Sequence, residues 1–524
     1  REAEDTVLAL SSLIPAEEAV LFPAWETLPH ERLSPRSDTV GQRLSVLRSL
    51  AGLGATFPRV VVAPVRSLLQ PLVAGLEKME PVEIQKGQEV DFNLTVKQLT
   101  QAAYSRVDLV SKRGEFAVRG GILDIFSPVA DYPVRIDFFG DEVEDIRYFS
   151  VADQRTINAE NHPGVFLAPP CRELLITPSI MSKAARLKNS YPGAAGMLEK
   201  IAGGIYVEGM ESLIPLLVDN MVTLLDHLPE SSLPIIIEPE RVRSRAADLV
   251  ATNEEFLHAA WDSVTDASDA PIDLGQNGLS DLGSGRFRTV ASMRELALAK
   301  NMGWWAMTSL GVDSAIDDDV DSVQFAARVP HTYAGNVTEL LDEVGKKVKD
   351  GWRIAVVTHG PGPLARLLDL FQEAEIPASR VESLERAPEP GIIEMTTASA
   401  GHGFMMDGAK LGLLTEADIL GRTSPYATRD LRSGKLPSRR RKNAVDPMSL
   451  AAGDYVVHEQ HGIGQFVELV QRPIAGATVT PGQLKPMKEY LVLEYAPTKR
   501  GGPKDRLFVP SDQLDQVSNY VGGD

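Results

Sequence analysis

The chain has 524 residues, 43% of them hydrophobic, and a formal net charge of −19. At roughly 150 residues per domain, that length predicts three or four domains with cores of their own and excludes a disordered chain. The acidic balance excludes broad affinity for nucleic acid, no apolar run reaches the ~18 residues that span a bilayer, and the single Cys171 excludes a disulfide framework and a cysteine-rich zinc site.

The first residues, "REAEDTVLAL", open inside a helical pattern with no cap before it, so the chain is expected to be a piece of something longer. No apolar signal-peptide core appears in the N-terminal residues, and one cysteine fits a reducing compartment, so a cytoplasmic location is expected. Residues 1–80 read as α/β. In "PRVVVAPVRSLLQPL" (58–72) a strand at Val60–Ala63 is turned by Pro64 into a helix. "LFPAWETLPHERLSP" (21–35) is a proline-rich loop whose Trp25 either caps the core or lines a binding loop.

Residues 81–167 read as β-rich after one short helix near 95–103. Residues 168–303 return to helices, with one strand in "LPIIIEPE" (233–240). Residues 304–430 again read as α/β, with strands in "WRIAVVTHG" (352–360) and near 391–396 and 410–415. The basic stretch 431–447 holds Arg439, Arg440, Arg441 and Lys442. It reads as a solvated linker, with phosphate contact as the alternative. Residues 448–524 carry short strands with glycine turns, the pattern of a small barrel.

Nucleotide hydrolysis on such an α/β scaffold needs GxxxxGK[ST], and the chain has none. "THGPGPLAR" (358–366) follows a strand and opens a helix, but lacks a lysine. In "IIIEPE" Pro239 separates Glu238 from Glu240, which argues against a magnesium-binding pair. His458 and His461 have no visible third ligand. No catalytic residue and no metal site is expected in this chain.

Single arginines stand in two strand patterns, "GEFAVRGGILDIFSP" (114–128) and "YPVRIDFFGDE" (132–142). By period two, Val134, Ile136 and Phe138 share a core face, while Arg135, Asp137 and Phe139 share the other. Arg119 ends "EFAVR", opposite Phe116 and Val118, before a double glycine that permits a bend. An exposed aromatic beside charge is the composition of an interface hot spot. The bland alternative is a surface pair between Arg135 and Asp137 with no partner. In the C-terminal segment, Tyr490, Leu491, Val492 and Leu493 lie in "EYLVLEY", which is apolar on both faces. That suits either a sheet edge awaiting a partner strand or a central strand covered on both sides.

Together with "WETLPHERLSP", "VRIDFFGDEVEDIRYFSVADQRT" and "GDYVVHEQHGIGQF…EYLVLEY…RLFVP", these motifs resemble, in order along the chain, the bacterial transcription-repair coupling factors, the Mfd family. The resemblance implies a multidomain α/β fold. Residues 1–80 and 168–303 would form one lobe similar to the first domain of UvrB, with a degenerate nucleotide site. The β-rich insert 81–167 would bind UvrA, 304–430 would be a second α/β domain of unknown role, and 448–524 would be an SH3/Tudor-like barrel, similar to CarD, that binds RNA polymerase. It places UvrA contacts on Arg119, Arg135 and Phe139, with Asp137 beside them. It places the polymerase β-subunit contact on Tyr490, Leu491, Val492 and Leu493. It further implies an adaptor in transcription-coupled nucleotide excision repair, with ATP, Mg and most DNA contact belonging to a motor C-terminal to this chain. The alternative is a DNA-dependent ATPase or helicase acting within the chain.

Overall fold

The computed structural model describes residues 2–27, 33–157, 163–262, 285–308, 322–333, 335–384, 386–420, 453–458, 462–473, 487–495, 505–510 and 517–519. Arg439, Arg440, Arg441, Lys442 and His461 lie outside these residues. The architecture is mixed α/β with several separate sheets, divided into one unit over Arg1–Ala427 and a second over Thr428–Asp524.

The first lobe starts from the parallel pair Ala19–Leu21 and Val60–Val62. Between them runs the helix Ser37–Leu50. Its Val40, Leu44 and Leu47 recur at helical spacing and pack on Phe22, Leu72 and Leu224. One turn of that helix buries an arginine. Arg43 is fully buried, pairs with Glu173, donates to the Pro23 carbonyl at 2.8 Å and lies over the Phe22 ring at 4.5 Å. Trp25 donates to the same Glu173 at 3.0 Å, which makes it a core-capping residue. Glu173 lies 130 residues from Arg43. Residues beyond the β-rich segment therefore return to the first lobe, as the antiparallel pairing of Leu72–Val73 with Met221–Val222 also requires. The β-rich segment is an insertion.

The insertion is closed at its base by the antiparallel pair Val82–Gln85 and Val165–Ala168. Its helix Phe92–Gln101 is capped by Asp91, whose carboxylate accepts from the Leu94 amide at 2.8 Å. The helix packs Leu99 on a five-stranded sheet in the order Ser105–Arg106, Glu115–Arg119, Ile122–Ile125, Val134–Phe139, Glu142–Tyr148. Phe116, Leu123, Ile125, Val134, Ile136 and Ile146 are fully buried on the helix side. Cys171 is buried at this junction, and burial pushes its thiol far above the usual range. A thiol held neutral and covered does not react. Ellman's reagent is therefore expected to titrate it only after denaturation, and rapid reaction of the native chain would show that the junction opens.

After the helices Pro178–Leu187 and Ala195–Ala202, the strand Ile235–Ile237 pairs in parallel with Trp305–Met307, across the boundary expected at 303 and 304. The following domain is a six-stranded sheet in the order Ala327–Arg328, Phe404–Met406, Leu411–Thr415, Arg353–Thr358, Ile393–Thr397, Ala378–Arg380. Its last four strands are parallel. Ile354, Val356, Met395 and Leu414 are fully buried, the near-continuous apolar run expected of strands covered on both faces. The turn after Thr358 leads into the helix Pro361–Glu373. Pro361 and Pro363 lack amide hydrogens, so this turn is a poor anion cradle.

The second unit holds one antiparallel sheet in the order Asp505–Pro510, Met487–Tyr495, Gly462–Pro473, Tyr455–His458, Val517–Asn519. The two outer strands do not pair with each other among the described residues, so no closed barrel is present there. Phe466 and Leu493 are register partners, and the ladder between their strands is bulged between Phe466 and Glu468.

Candidate partner-binding faces

Two tight connections shape the exposed end of the inserted sheet. Arg119 and Ile122 are register partners across the Gly120–Gly121 turn, and Phe139 and Glu142 across the Gly140–Asp141 turn. Gly120 and Gly140 take φ of 61° and 65°, which a side chain would resist. At Gly121 a Cβ would stand 2.9 Å from the Phe138 carbonyl oxygen. The Phe138 amide donates to the Gly121 carbonyl at 2.8 Å, so the two turns lie side by side. Arg119 and Phe139 consequently emerge at the same end of the sheet.

Residue parity sorts the strand Val134–Phe139 as expected. Val134 and Ile136 are buried, and Phe138 packs edge-on to Phe92 at 5.0 Å between ring centres. Phe139 is 79% exposed. A bulge between Asp137 and Phe138 breaks the ladder to the neighbouring strand just before it.

The outer face is a ladder of charge across strands. Arg119, Ile122, Asp137 and Asp145 occupy one row, and Ala117, Asp124, Arg135 and Arg147 the next. Arg135 does not pair with Asp137 in its own strand. Its Nε and Nη2 donate to the two oxygens of Asp124 at 2.8 and 2.9 Å, its Nη1 donates to the Gln154 carbonyl at 3.3 Å, and its guanidinium lies 4.8 Å from the centre of the Phe149 ring. The Asp124 hydrogen bonds raise the Arg135 pKa above its ordinary value. Asp137 pairs with Arg147 from the next strand. Lys86 donates to Asp145 at 2.8 Å and holds that carboxyl below its usual range. The alternative of an Arg135–Asp137 surface pair therefore does not hold: both residues pair across strands, because facing strands bring side chains closer than a two-residue step along one strand.

The two arginines differ in freedom. The Arg135 side chain is only 19% exposed, whereas that of Arg119 is 45% exposed and makes one long hydrogen bond, 3.2 Å, to the Asp108 carbonyl. Sequence reasoning did not single out Asp124 or Phe149. The available signal was an acid inside the apolar run "ILDI", which demands a buried partner.

The second candidate face differs from its expectation. The strand Met487–Tyr495, which holds Tyr490, Leu491, Val492 and Leu493, pairs with Gly462–Pro473 on one side and Asp505–Pro510 on the other. Leu491, Val492 and Leu493 are fully buried. Strand addition at this segment is corrected on that ground, since its backbone groups already serve two neighbours. Among the described residues of the second unit, the strands paired on one side only are Asp505–Pro510 and Val517–Asn519.

Among the described residues no group of three or more His, Cys, Asp or Glu side chains is placed to hold a metal ion, and no helix is long and apolar enough to cross a membrane.

Comparison with known proteins matches residues 82–169 to the UvrB interaction domain and residues 450–521 to the CarD-like/TRCF RID domain. The whole chain aligns at 42% identity over 543 residues with a transcription-repair-coupling factor of Mycobacterium tuberculosis, of which it covers 42%. Factors of the same name from Bacillus subtilis and Escherichia coli are 24% and 25% identical over 100% and 95% of the chain. The chain spans about two fifths of the length of these relatives, 42% and 40% respectively for the last two.

Proposed function

We propose that this chain, which carries both matched modules and is similar from end to end to transcription-repair-coupling factors, is the adaptor portion of such a factor in nucleotide excision repair. One module holds a stalled RNA polymerase through its β subunit. The other recruits UvrA to the lesion. The observation that carries this reading is the presence of both modules in one chain aligned in full with these factors. ATP, Mg and most DNA contact belong, in this reading, to a motor outside the sequence, and the setting is the cytoplasm.

The UvrA face comprises Arg119, Phe139 and Asp137, with Arg135 set behind them. Arg119 and Phe139 offer a partner a charge and an aromatic at one end of a rigid sheet. The expected domain division is part of the same proposal, with one adjustment: Trp305–Met307 goes with the first lobe, because its hydrogen-bonding partner is Ile235–Ile237. For the second module we keep the SH3/Tudor-like class, supported by the meander order and the bulge at Phe466. Tyr490, Leu491, Val492 and Leu493 become the spine that supports polymerase docking at the neighbouring edge Asp505–Pro510.

The test is paired capture of the full chain by purified UvrA and by RNA polymerase. Binding of both supports the adaptor, and binding of neither overturns it.

A second expectation concerns ATP. The sequence holds no GxxxxGK[ST]. Glu238 takes a left-handed φ of 54°, and Glu240 lies in the first turn of the helix Pro239–Asp262, 3.4 Å from Arg243. The chain thus turns at Glu238, and Pro239 opens the helix between the two acids. ATP turnover by this chain is expected to stay at background, with or without DNA. Turnover that vanishes on substituting one of its own residues would favour the ATPase reading.

A further inference from the structure

We infer that Asp124 is a positioning residue for the UvrA face: it touches no partner itself and fixes the guanidinium of Arg135. This inference rests on the UvrA reading above. The Asp124 side chain is 1% exposed, so no protein can reach it. It lies in the strand Ile122–Ile125, between the strands that carry Arg119 and Arg135. Both its oxygens accept from Arg135, in the fork-to-fork geometry that restricts a guanidinium most. Phe149 supports that plane from one side at 4.8 Å, and the Gln154 carbonyl takes a third donor. Arg135 therefore has two N–H bonds left, one on each terminal nitrogen, in fixed directions.

The same carboxylate lies 4.0 Å from Nη2 of Arg119, too far for a hydrogen bond. One buried charge thus balances two arginines but clamps only one. Arg119 stays free to adapt, whereas Arg135 is set before the partner arrives. A long side chain ordered in advance spares a partner the entropy of ordering it.

The experiment is calorimetric titration of the full chain with UvrA in a double-mutant cycle. Asp124→Asn keeps the shape but turns one acceptor into a donor that faces the guanidinium. It is expected to weaken UvrA binding roughly three- to tenfold, the ordering cost of one long side chain. In the Arg135→Ala background the same change is expected to move affinity less than twofold, because the group it positions is gone. Equal losses in both backgrounds, as general loosening of the module would give, overturn the inference, as does unchanged or tighter binding in the wild-type background.

If Asp124→Asn fails to fold, Arg135→Lys serves. It keeps the charge, loses the fork, and is expected to weaken binding by a similar factor. Wild-type affinity of a folded Arg135→Lys overturns the inference. Arg119→Ala provides the separate check: if it leaves UvrA affinity unchanged, the UvrA reading fails, whereas loss with Arg119→Ala beside no loss with Asp124→Asn or Arg135→Lys sinks only the positioning role.

Discussion

Arg119→Ala is expected to weaken UvrA binding by about 1–3 kcal/mol, roughly 5- to 150-fold, without lowering the melting temperature of the chain. The side chain is 45% exposed, donates one 3.2 Å hydrogen bond to the Asp108 carbonyl and stands 4.0 Å from the Asp124 carboxylate. Exposed substitutions of this kind move stability by about 0.5 kcal/mol or less. Phe139→Ala is expected to behave alike. An aromatic that is 79% exposed at a hairpin end contributes little to its own fold and much to a partner that can cover it. Arg135→Ala is expected to differ from both. It leaves the buried carboxylate of Asp124 without its two hydrogen bonds, so the module should lose about 3 kcal/mol of stability as well as affinity. Calorimetry with UvrA beside thermal melting separates these cases. If Arg119→Ala and Phe139→Ala both keep wild-type affinity, this end of the sheet is not the docking face. Raising salt should weaken the wild type more than Arg119→Ala, since the lost group is a charge at a screened surface.

Much of that face was legible in the sequence, and the exceptions have one physical cause. Period two separated Val134 and Ile136 from Arg135 and Phe139, because side chains of one strand alternate by geometry alone. What period two cannot give is which strand lies alongside and in what register. The same-strand alternative, Arg135 with Asp137 two residues away, misses the partner Asp124, which lies across the sheet. The cue was present, since an aspartate in "ILDI" could be buried only against a cation. The same gap explains the C-terminal strand. "EYLVLEY" is apolar on both faces, and that pattern fits a strand awaiting a partner as well as one already covered. Composition does not tell them apart; the ladder does, with Leu491 facing Leu469 on one side and Val509 on the other. Trp305–Met307 falls on the far side of the expected boundary at 303 and 304 for a related reason. A three-residue strand carries no signal of its parallel partner some 70 residues earlier, Ile235–Ile237.

That central position changes what substitutions in the second module should do. Leu491→Arg or Leu493→Arg places a charge in a central strand, at positions whose register partners are Leu469 and Val509 for the first and Phe466 and Leu507 for the second. Leu491 and Leu493 are fully buried, and an unpaired charge there costs several kcal/mol. A sheet of this size has about 5 kcal/mol to lose. Either variant is therefore expected to melt the second unit and abolish polymerase binding, while the unit over Arg1–Ala427 keeps its own melting transition and its UvrA affinity. A folded Leu491→Arg would show that this side chain is not buried as described. Loss through unfolding does not locate the docking edge, so the edge needs a variant that stays folded. Along Asp505–Pro510 successive amides point alternately towards Met487–Tyr495 and away from it. Of Phe508→Pro and Val509→Pro, one therefore removes an inward hydrogen bond and should destabilise the sheet. The other removes an outward donor that no neighbouring strand uses among the described residues, and should leave the sheet folded. If polymerase adds a strand to this edge, that folded proline variant is expected to lose binding at least tenfold in a pull-down quantified against the wild type, because both a donor and the straight approach of the partner backbone are gone. Full polymerase binding by a proline variant that circular dichroism shows to be folded would move the docking site away from Asp505–Pro510 and leave Val517–Asn519, the other strand paired on one side, as the edge to substitute next.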